Sequence, residues 1–416
     1  MISQARLIDA IDARFGWQPP KVLGVAVSGG SDSLALLHLL KAWGKSKIVV
    51  ATVDHGLRAE ATDEAAFVSR VCETLDLRHD TLRWSDWTGQ GNVQDAARRA
   101  RYTLLARWGR KRGAEFVALG HTEDDVAETF LMRLKRAAGL DGLAAMRDTF
   151  SVEEQKFVRP LMGASRADLR FLLEDIGQAW VEDPSNADAR FDRVKMRQGF
   201  EALKEIGLDQ ATLAGAALRL RDEKTALSMA AFHRAEMVAE IEAGDIVFKR
   251  RRLLLSGERM VDRLISAALR WVASRGYAPR ASALAQLTRQ LDAPGQCLTL
   301  HGCRIDVSED HVRIGREFNA VWDHVARFDQ IWDGRWRITG PGALGDELRA
   351  LGETGLLAVA DWRASGLPRA ALLATPAVWR GGELVAAPLL EPESPFKAEL
   401  KSSFFASLLD DETTRL

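Results

Sequence analysis

The stretch "VAVSGGSDSLALLHLL", residues 25–40, joins two apolar runs through a cluster of small residues and one aspartate. The first run is of strand type and the second has helical spacing, so the cluster is a strand-to-helix turn. Gly29 and Gly30 bare the backbone there, and consecutive N–H groups at a helix N-terminus form a site for phosphate oxygens. The lysine of a GxxxxGK[ST] loop is missing: Ser31-Asp32-Ser33 stands in its place, and GxGxxG does not fit either. A serine N-cap would explain the turn but gives Asp32 no role.

Outward from this turn, "KIVVATVDHG" (47–56) and "EFVALGHTEDD" (115–125) read as strands. Amphipathic helical stretches at 63–75 and 93–112 separate them. Such alternation predicts an α/β fold with a parallel sheet wrapped by helices, whose ligands sit at the C-terminal ends of the strands. Ser28 to Ser33, Asp54-His55 and His121 to Asp125 all follow strands directly, so one pocket can collect them. The expected layout is an N-terminal parallel-sheet domain over 1–200, a helical domain over 201–292 and a small α+β C-terminal domain over 293–416.

A net charge of -1 over 416 residues gives no whole-chain attraction to nucleic acid, so any such surface is local. Between Arg193 and Arg289, 18 Lys/Arg face 11 Asp/Glu, a surplus of seven by subtraction. That segment is the candidate RNA-facing surface, with "KRRR" (249–252) its densest point, although short basic runs are commonly just solvated faces. Cys72, Cys297 and Cys303 are odd in number and form no CxxC, which suits a reducing cytosol. Cys297, His301 and Cys303 match no standard zinc spacing and are read as strand residues. The charged N-terminus and the lack of a run of ~18 apolar residues point to a cytoplasmic protein with no membrane partner.

Asp125 and Glu128 lie one turn apart on a helix starting near Thr122 and can reach one metal or one ammonium group. Acids in a first turn also simply favour the helix dipole. His121, at a strand end, either contacts a nucleotide or caps the helix. Arg98 and Arg101, at i, i+3, can reach one anion, as can a solvated face. "EDPSNADARF" (182–191) is turn chemistry, after which Arg193 and Arg197 recur at helical spacing.

SGGxDS after a strand resembles the PP-loop of the N-type ATP pyrophosphatases, which split ATP between the α- and β-phosphates. "VDHGLRAEA" (53–61), "NVQDAARRARY" (92–102), "LGHTEDDVAETFLMRLKRAAGLDGLAAM" (119–146), "RPLMGASRADL" (159–169) and "WVEDPSNADARFDRVKMR" (180–197) resemble, in order and spacing, the bacterial tRNA(Ile)-lysidine synthetase family. The resemblance implies a two-step ligation of free L-lysine to the wobble cytidine of tRNA(Ile) with a CAU anticodon. Its cofactors are ATP and Mg²⁺, its intermediate is an adenylated tRNA, and its product reads AUA and is charged with isoleucine. It implies ATP binding by Ser28, Gly29, Gly30, Ser31, Asp32, Ser33, Asp54, His55, Arg98 and His121. For tRNA or nucleotide it implies Arg101, Arg133, Arg136, Asp183, Asn186, Arg193 and Arg197. Asp32, Asp125 and Glu128 would be catalytic, dividing the metal and the lysine among them, with Asp32 and Asp125 as the Mg²⁺ candidates; a second copy of the chain is a candidate partner. Ala137 departs from the family, which commonly has glycine there. Two alternatives keep fewer of these features: a tRNA-thiolating PP-loop enzyme, which wants paired cysteines, and a non-catalytic nucleotide or RNA binder, which gains nothing from the three acids.

Overall fold

The computed structural model describes residues 3–16, 18–56, 60–85, 93–182 and 192–409. The chain forms two compact units, Met1–Lys224 and Thr225–Arg415. Among the described residues no helix is long and apolar enough to cross a membrane.

The first unit runs α1 (Gln4–Phe15), β1 (Val22–Ala26), α2 (Ser31–Trp43), β2 (Lys47–Asp54), α3 (Glu60–Thr74), β3 (Arg78–Arg83), α4 (Val93–Arg112) and β4 (Phe116–Leu119). It continues through α5 (Glu123–Lys135), α6 (Leu140–Leu143), β5 (Thr149–Val152), β6 (Gln155–Val158), α7 (Arg166–Asp175), α8 (Asp192–Glu205) and the start of α9 (Gln210–Val238). Its sheet has the order β3-β2-β1-β4-β6-β5, parallel throughout except for the antiparallel edge pair β5 and β6. The α/β expectation for this part holds.

This order places the ligand crevice. From β1 the chain steps outward through β2 to β3, then returns across β1 to β4, so the connections leave β1 and β4 in opposite directions. The crevice at such a switch point opens beyond the C-terminal ends of those two strands, where the Ser28–Ser33 turn and His121 lie. The central strands are apolar on both faces, as buried parallel strands must be. On one face Leu34, Leu36, Leu37 and Leu40 of α2 pack with Leu169 and Leu173 of α7. On the other, Tyr102, Leu105 and Trp108 of α4 pack with Val49, Val117 and Phe157. Each such side chain contributes about 1.5–3 kcal/mol by leaving water, so both walls of the crevice are firmly anchored.

In the second unit α9 ends and is followed by β7 (Ala239–Glu242), β8 (Asp245–Lys249), α10 (Arg250–Leu254), α11 (Glu258–Val272), α12 (Ala281–Gln290), β9 (Gln296–Leu300), β10 (Cys303–Val307) and β11 (His311–Arg316). The expected hairpin is present as β9, β10 and β11, and with β8 and β7 it makes a five-stranded antiparallel sheet. Short strands and helices from Ala326 to Leu409 complete a strand-rich region. One difference from the sequence reading is the hairpin β7–β8, set within a segment whose pattern looks helical. Ala243 and Gly244, both at positive φ, turn the chain there, and the β-branched Ile246 and Val247 of β8 pair with β11. In "KRRR", Arg250 donates to the carbonyls of Leu291, Asp292 and Glu309 and so is structural, whereas Arg251 and Arg252 are exposed.

Ala137, just past α5, has φ +52°, in the left-handed region that glycine occupies freely. Ala137→Gly is therefore expected to stabilise the chain by up to about 1 kcal/mol, the left-handed strain outweighing glycine's entropy. The urea midpoint reads this, and a lower midpoint for the variant contradicts it.

Candidate active site

The phosphate turn is closed from inside by Ser33. Its Oγ donates to the Gly30 carbonyl at 2.9 Å and accepts from the Ser28 N–H at 3.1 Å. Gly29 sits at φ +89°, a conformation that any side chain would strain, and its carbonyl accepts from the Val181 N–H at 2.9 Å. Gly30 is the extended N-cap of α2 and offers no side-chain cap. The N–H groups of the first helical turn have no intrahelical partners and can serve phosphate oxygens.

Behind the turn lies Gly120, at the end of β4. A Cβ there would stand 2.9 Å from the Asp32 carbonyl oxygen and 3.0 Å from the Ser33 Cα. Backbone approaches backbone at this point, so the absence of a side chain fixes how deeply the turn seats in the crevice.

Three carboxylates converge in front of it. Thr122 caps α5: the Asp125 N–H donates to its hydroxyl at 3.4 Å, and the Thr122 N–H donates to Asp125 Oδ2 at 2.9 Å. This box aims Asp125, with Glu128 one turn on, toward Asp32. Arg166, the first residue of α7, meets all three: Nε donates to Asp32 Oδ2 at 2.9 Å, and the other nitrogens lie 3.4 Å from Asp125 Oδ1 and 3.5 Å from Glu128 Oε1. Arg197, on α8, donates from Nε to Glu128 Oε1 at 2.6 Å. Glu128 is 1% exposed, and its Oε2 is a buried acceptor with no hydrogen-bond partner among the described residues.

Electrostatics separate the acids. Burial pushes the Asp32 carboxyl above its ordinary value despite Arg166. Burial acts on Asp125 the same way, but the neighbouring His121, the charges of Arg166 and Arg193 and the Thr122 N–H prevail and hold it below the usual range. For Arg166, burial opposes the charge, yet Asp32 and Asp125 raise its pKa further, so it is always a cation.

The opposite side of the site is basic. Burial, with the charges of Arg159, Arg101 and Arg193, keeps the half-buried His121 imidazole well below its usual pKa, so it is neutral at pH 7. The Arg98 guanidinium lies 5.5 Å from the Tyr102 ring, and Arg159 stacks 4.1 Å over Phe150. Burial would raise the Tyr102 phenol, but Arg98, Arg159 and Arg101 outweigh it and lower its pKa. No carboxylate among the described residues forms an ion pair with Arg98, Arg101 or Arg193, so this cluster is suited to an incoming anion.

The remaining candidates are placed as follows. Asp54 ends β2, nine-tenths buried, and accepts from the Gly56 N–H at 2.9 Å; His55 packs edge-on to Trp84. Arg133 donates to the Ala144 carbonyl at 2.8 Å and Arg136 is the C-cap of α5. Both lie toward the far end of that helix, ~12 Å and ~16 Å along the axis from Asp125 at 1.5 Å per residue. Asp183 and Asn186 lie outside the described residues.

Reasoning from the sequence missed Arg166 and Gly120. A signal for the first existed: Ser165 and Asp168 mark a helix start, and a cation in a first turn opposes the dipole unless something else holds it.

A PP-loop domain family profile matches residues 3–202. The chain is 44% identical to a protein of Ruegeria pomeroyi named tRNA(Ile)-lysidine synthase, across 97% of each chain. It is 36% identical to a protein of the same name from Brucella anthropi, covering 89% of this chain and 86% of that one. Among solved structures, the U34-tRNA thiolase NcsA of Methanococcus maripaludis is similar at 19% identity and TM-score 0.46, over 52% of this chain and 78% of that one.

Proposed function

The chain belongs to the tRNA(Ile)-lysidine synthase family, and from this premise we infer that its site joins free lysine to carbon 2 of the wobble cytidine in the CAU anticodon of tRNA(Ile). The observation that carries the reading is the juxtaposition of a phosphate-cradling helix N-terminus with three carboxylates gathered on one guanidinium.

A cytosine carbonyl oxygen is a poor leaving group, so an amine cannot displace it directly. The oxygen first attacks the α-phosphate of ATP, forming an O–P bond while pyrophosphate leaves. The first turn of α2 holds that pyrophosphate through backbone N–H groups, and Arg98 and Arg101 take up the charge that builds on it. Magnesium would be held by Asp32, and when bound it neutralises phosphate charge. The donor set suits it: among the described residues Asp32 Oδ1 is bonded only by the Ser31 hydroxyl, beside the phosphate cradle, and Mg²⁺ wants one or two carboxylates plus phosphate oxygens. Asp125 fits less well, because Thr122 takes one of its oxygens and Arg166 the other.

The ε-amine of lysine then attacks carbon 2 and AMP departs with the oxygen. Lysine arrives as an ammonium, with a reference pKa near ~10.4, and must lose a proton to attack. Glu128 Oε2, buried and unpaired, is the acceptor for that N–H, with Asp125 supporting the charge. Arg193 and Arg197 would contact the nucleotide from α8. The protein would act in the cytoplasm, where its three substrates meet.

With ATP labelled at the α-phosphate, Mg²⁺ and a CAU transcript, but no lysine, label should accumulate on the tRNA and be released as AMP when lysine is added. Label that never joins tRNA overturns the order of steps.

A further inference from the structure

We propose that Arg166 is a positioning residue that reserves Asp125 and Glu128 for one ammonium group by holding divalent cations off that pair, while its bond to Asp32 Oδ2 leaves Asp32 Oδ1 to the phosphate side of the site. The proposal rests on the reading of that cluster as the amine site and adds a selectivity to it.

Asp32, Asp125 and Glu128 all approach the Arg166 guanidinium within 3.5 Å. Three carboxylates that close would by themselves attract a dication, which takes oxygen ligands of this kind. An enzyme that needs Mg²⁺ for its ATP would then lose its amine pocket to the same ion. A planar guanidinium that cannot be deprotonated and donates to several oxygens at once fills that role while leaving part of the charge unspent. Arg166 spreads one positive charge over three carboxylates while Arg197 pairs with Glu128 alone, which leaves Asp125 and Glu128 together with a negative remainder. That remainder matches one ammonium. Around it, Arg193 acts on Asp125 through its field alone.

The backbone shows that Arg166 is held in place. Its N–H donates to Asp124 Oδ2 at 2.7 Å, and the Glu123 N–H donates to the Ala164 carbonyl at 2.9 Å, so the starts of α5 and α7 are tied to each other. A cation in the first turn of α7 faces that helix's own dipole, a cost the three acids offset. The unpaired Glu128 Oε2 lies on the one member of the cluster already saturated with guanidinium on its other oxygen, which marks where an ammonium adds without displacing Arg166.

The test counts Mn²⁺ bound by nucleotide-free full-length protein, from the free-ion signal in electron paramagnetic resonance. Arg166→Gln should bind one Mn²⁺ at least about tenfold more tightly than the unaltered protein, and adding Glu128→Gln should remove that gain. Arg166→Lys, which keeps the charge, should restore exclusion. In steady state with ATP-Mg²⁺ saturating, Arg166→Gln should show a lysine KM that climbs with free Mg²⁺, the pattern of an ion competing for the amine pocket. Equal Mn²⁺ affinity in the Gln variant and the unaltered protein overturns the proposal. Should the Gln variant not fold, the unaltered protein decides. Its lysine KM is expected to stay within about twofold as free Mg²⁺ rises through the millimolar range, and a proportional rise overturns the proposal. Failure of the underlying amine reading is seen separately, as a Glu128→Gln variant with an unchanged lysine KM.

Discussion

Glu128→Gln is expected to slow lysine transfer about a thousandfold while leaving formation of the AMP–tRNA intermediate nearly intact. The substitution keeps shape and volume. Its carbonyl can still accept from Arg197, so the new NH₂ group falls where Oε2 was, and a donor then faces the donor of the incoming ammonium. The acceptor for the departing proton is lost at the same time. The fold should bear a smaller cost, about 1–3 kcal/mol, because Arg166 and Arg197 lose part of a buried counter-charge but retain some solvent contact. Single-turnover transfer from isolated AMP–tRNA separates the two steps. Transfer at the unaltered rate would remove Glu128 from the amine site.

Gly120→Ala is expected to weaken ATP binding and slow adenylation about a hundredfold, although residue 120 carries no functional group. Its Cβ would stand 2.9 Å from the Asp32 carbonyl oxygen and 3.0 Å from the Ser33 Cα, distances that no rotamer change relieves because both neighbours are backbone. The start of α2 must move outward, taking with it the N–H groups that cradle pyrophosphate and the Asp32 side chain. Overpacking of this kind costs about 1–3 kcal/mol of stability, and displacement of preorganised donors costs a comparable amount in the transition state. The effect should appear in ATP affinity and in adduct formation, with transfer from preformed AMP–tRNA much less affected. An alanine variant with unaltered ATP affinity would show that the turn does not depend on this close approach.

Much of the fold was legible because the central strands and their helices carry their own periodicity. β1, β2 and β4 are apolar runs, and α4 was delimited at 93–112, the bounds it has in the structure. The strand β3, "RHDTLR", was not read, since at the sheet edge it alternates polar residues and includes two arginines and an aspartate. β7 and β8 were hidden by a long helical pattern that ends at Val238, after which Ala243 and Gly244 turn the chain back between the two strands.

The site divides in the same way. Ser28 to Ser33, Asp125 and Glu128 were found locally, because a turn or one helical face brings them together. Arg166 was missed because it meets Asp32 from 134 residues away, and Gly120 because a close approach leaves no mark on a sequence beyond the glycine itself. Arg133 and Arg136 share α5 with the acids, but a helix that places one end in the crevice carries the other away from it.

The central claim is that one crevice activates the wobble cytidine with ATP and then gives it to lysine. Incubating the full chain with ATP, Mg²⁺, radiolabelled lysine and tRNA(Ile) transcripts that differ only in carrying CAU or another anticodon tests it most directly. The account predicts label on the CAU transcript alone, dependent on ATP. ATP turnover with no lysine on either transcript, or label on both alike, would contradict it.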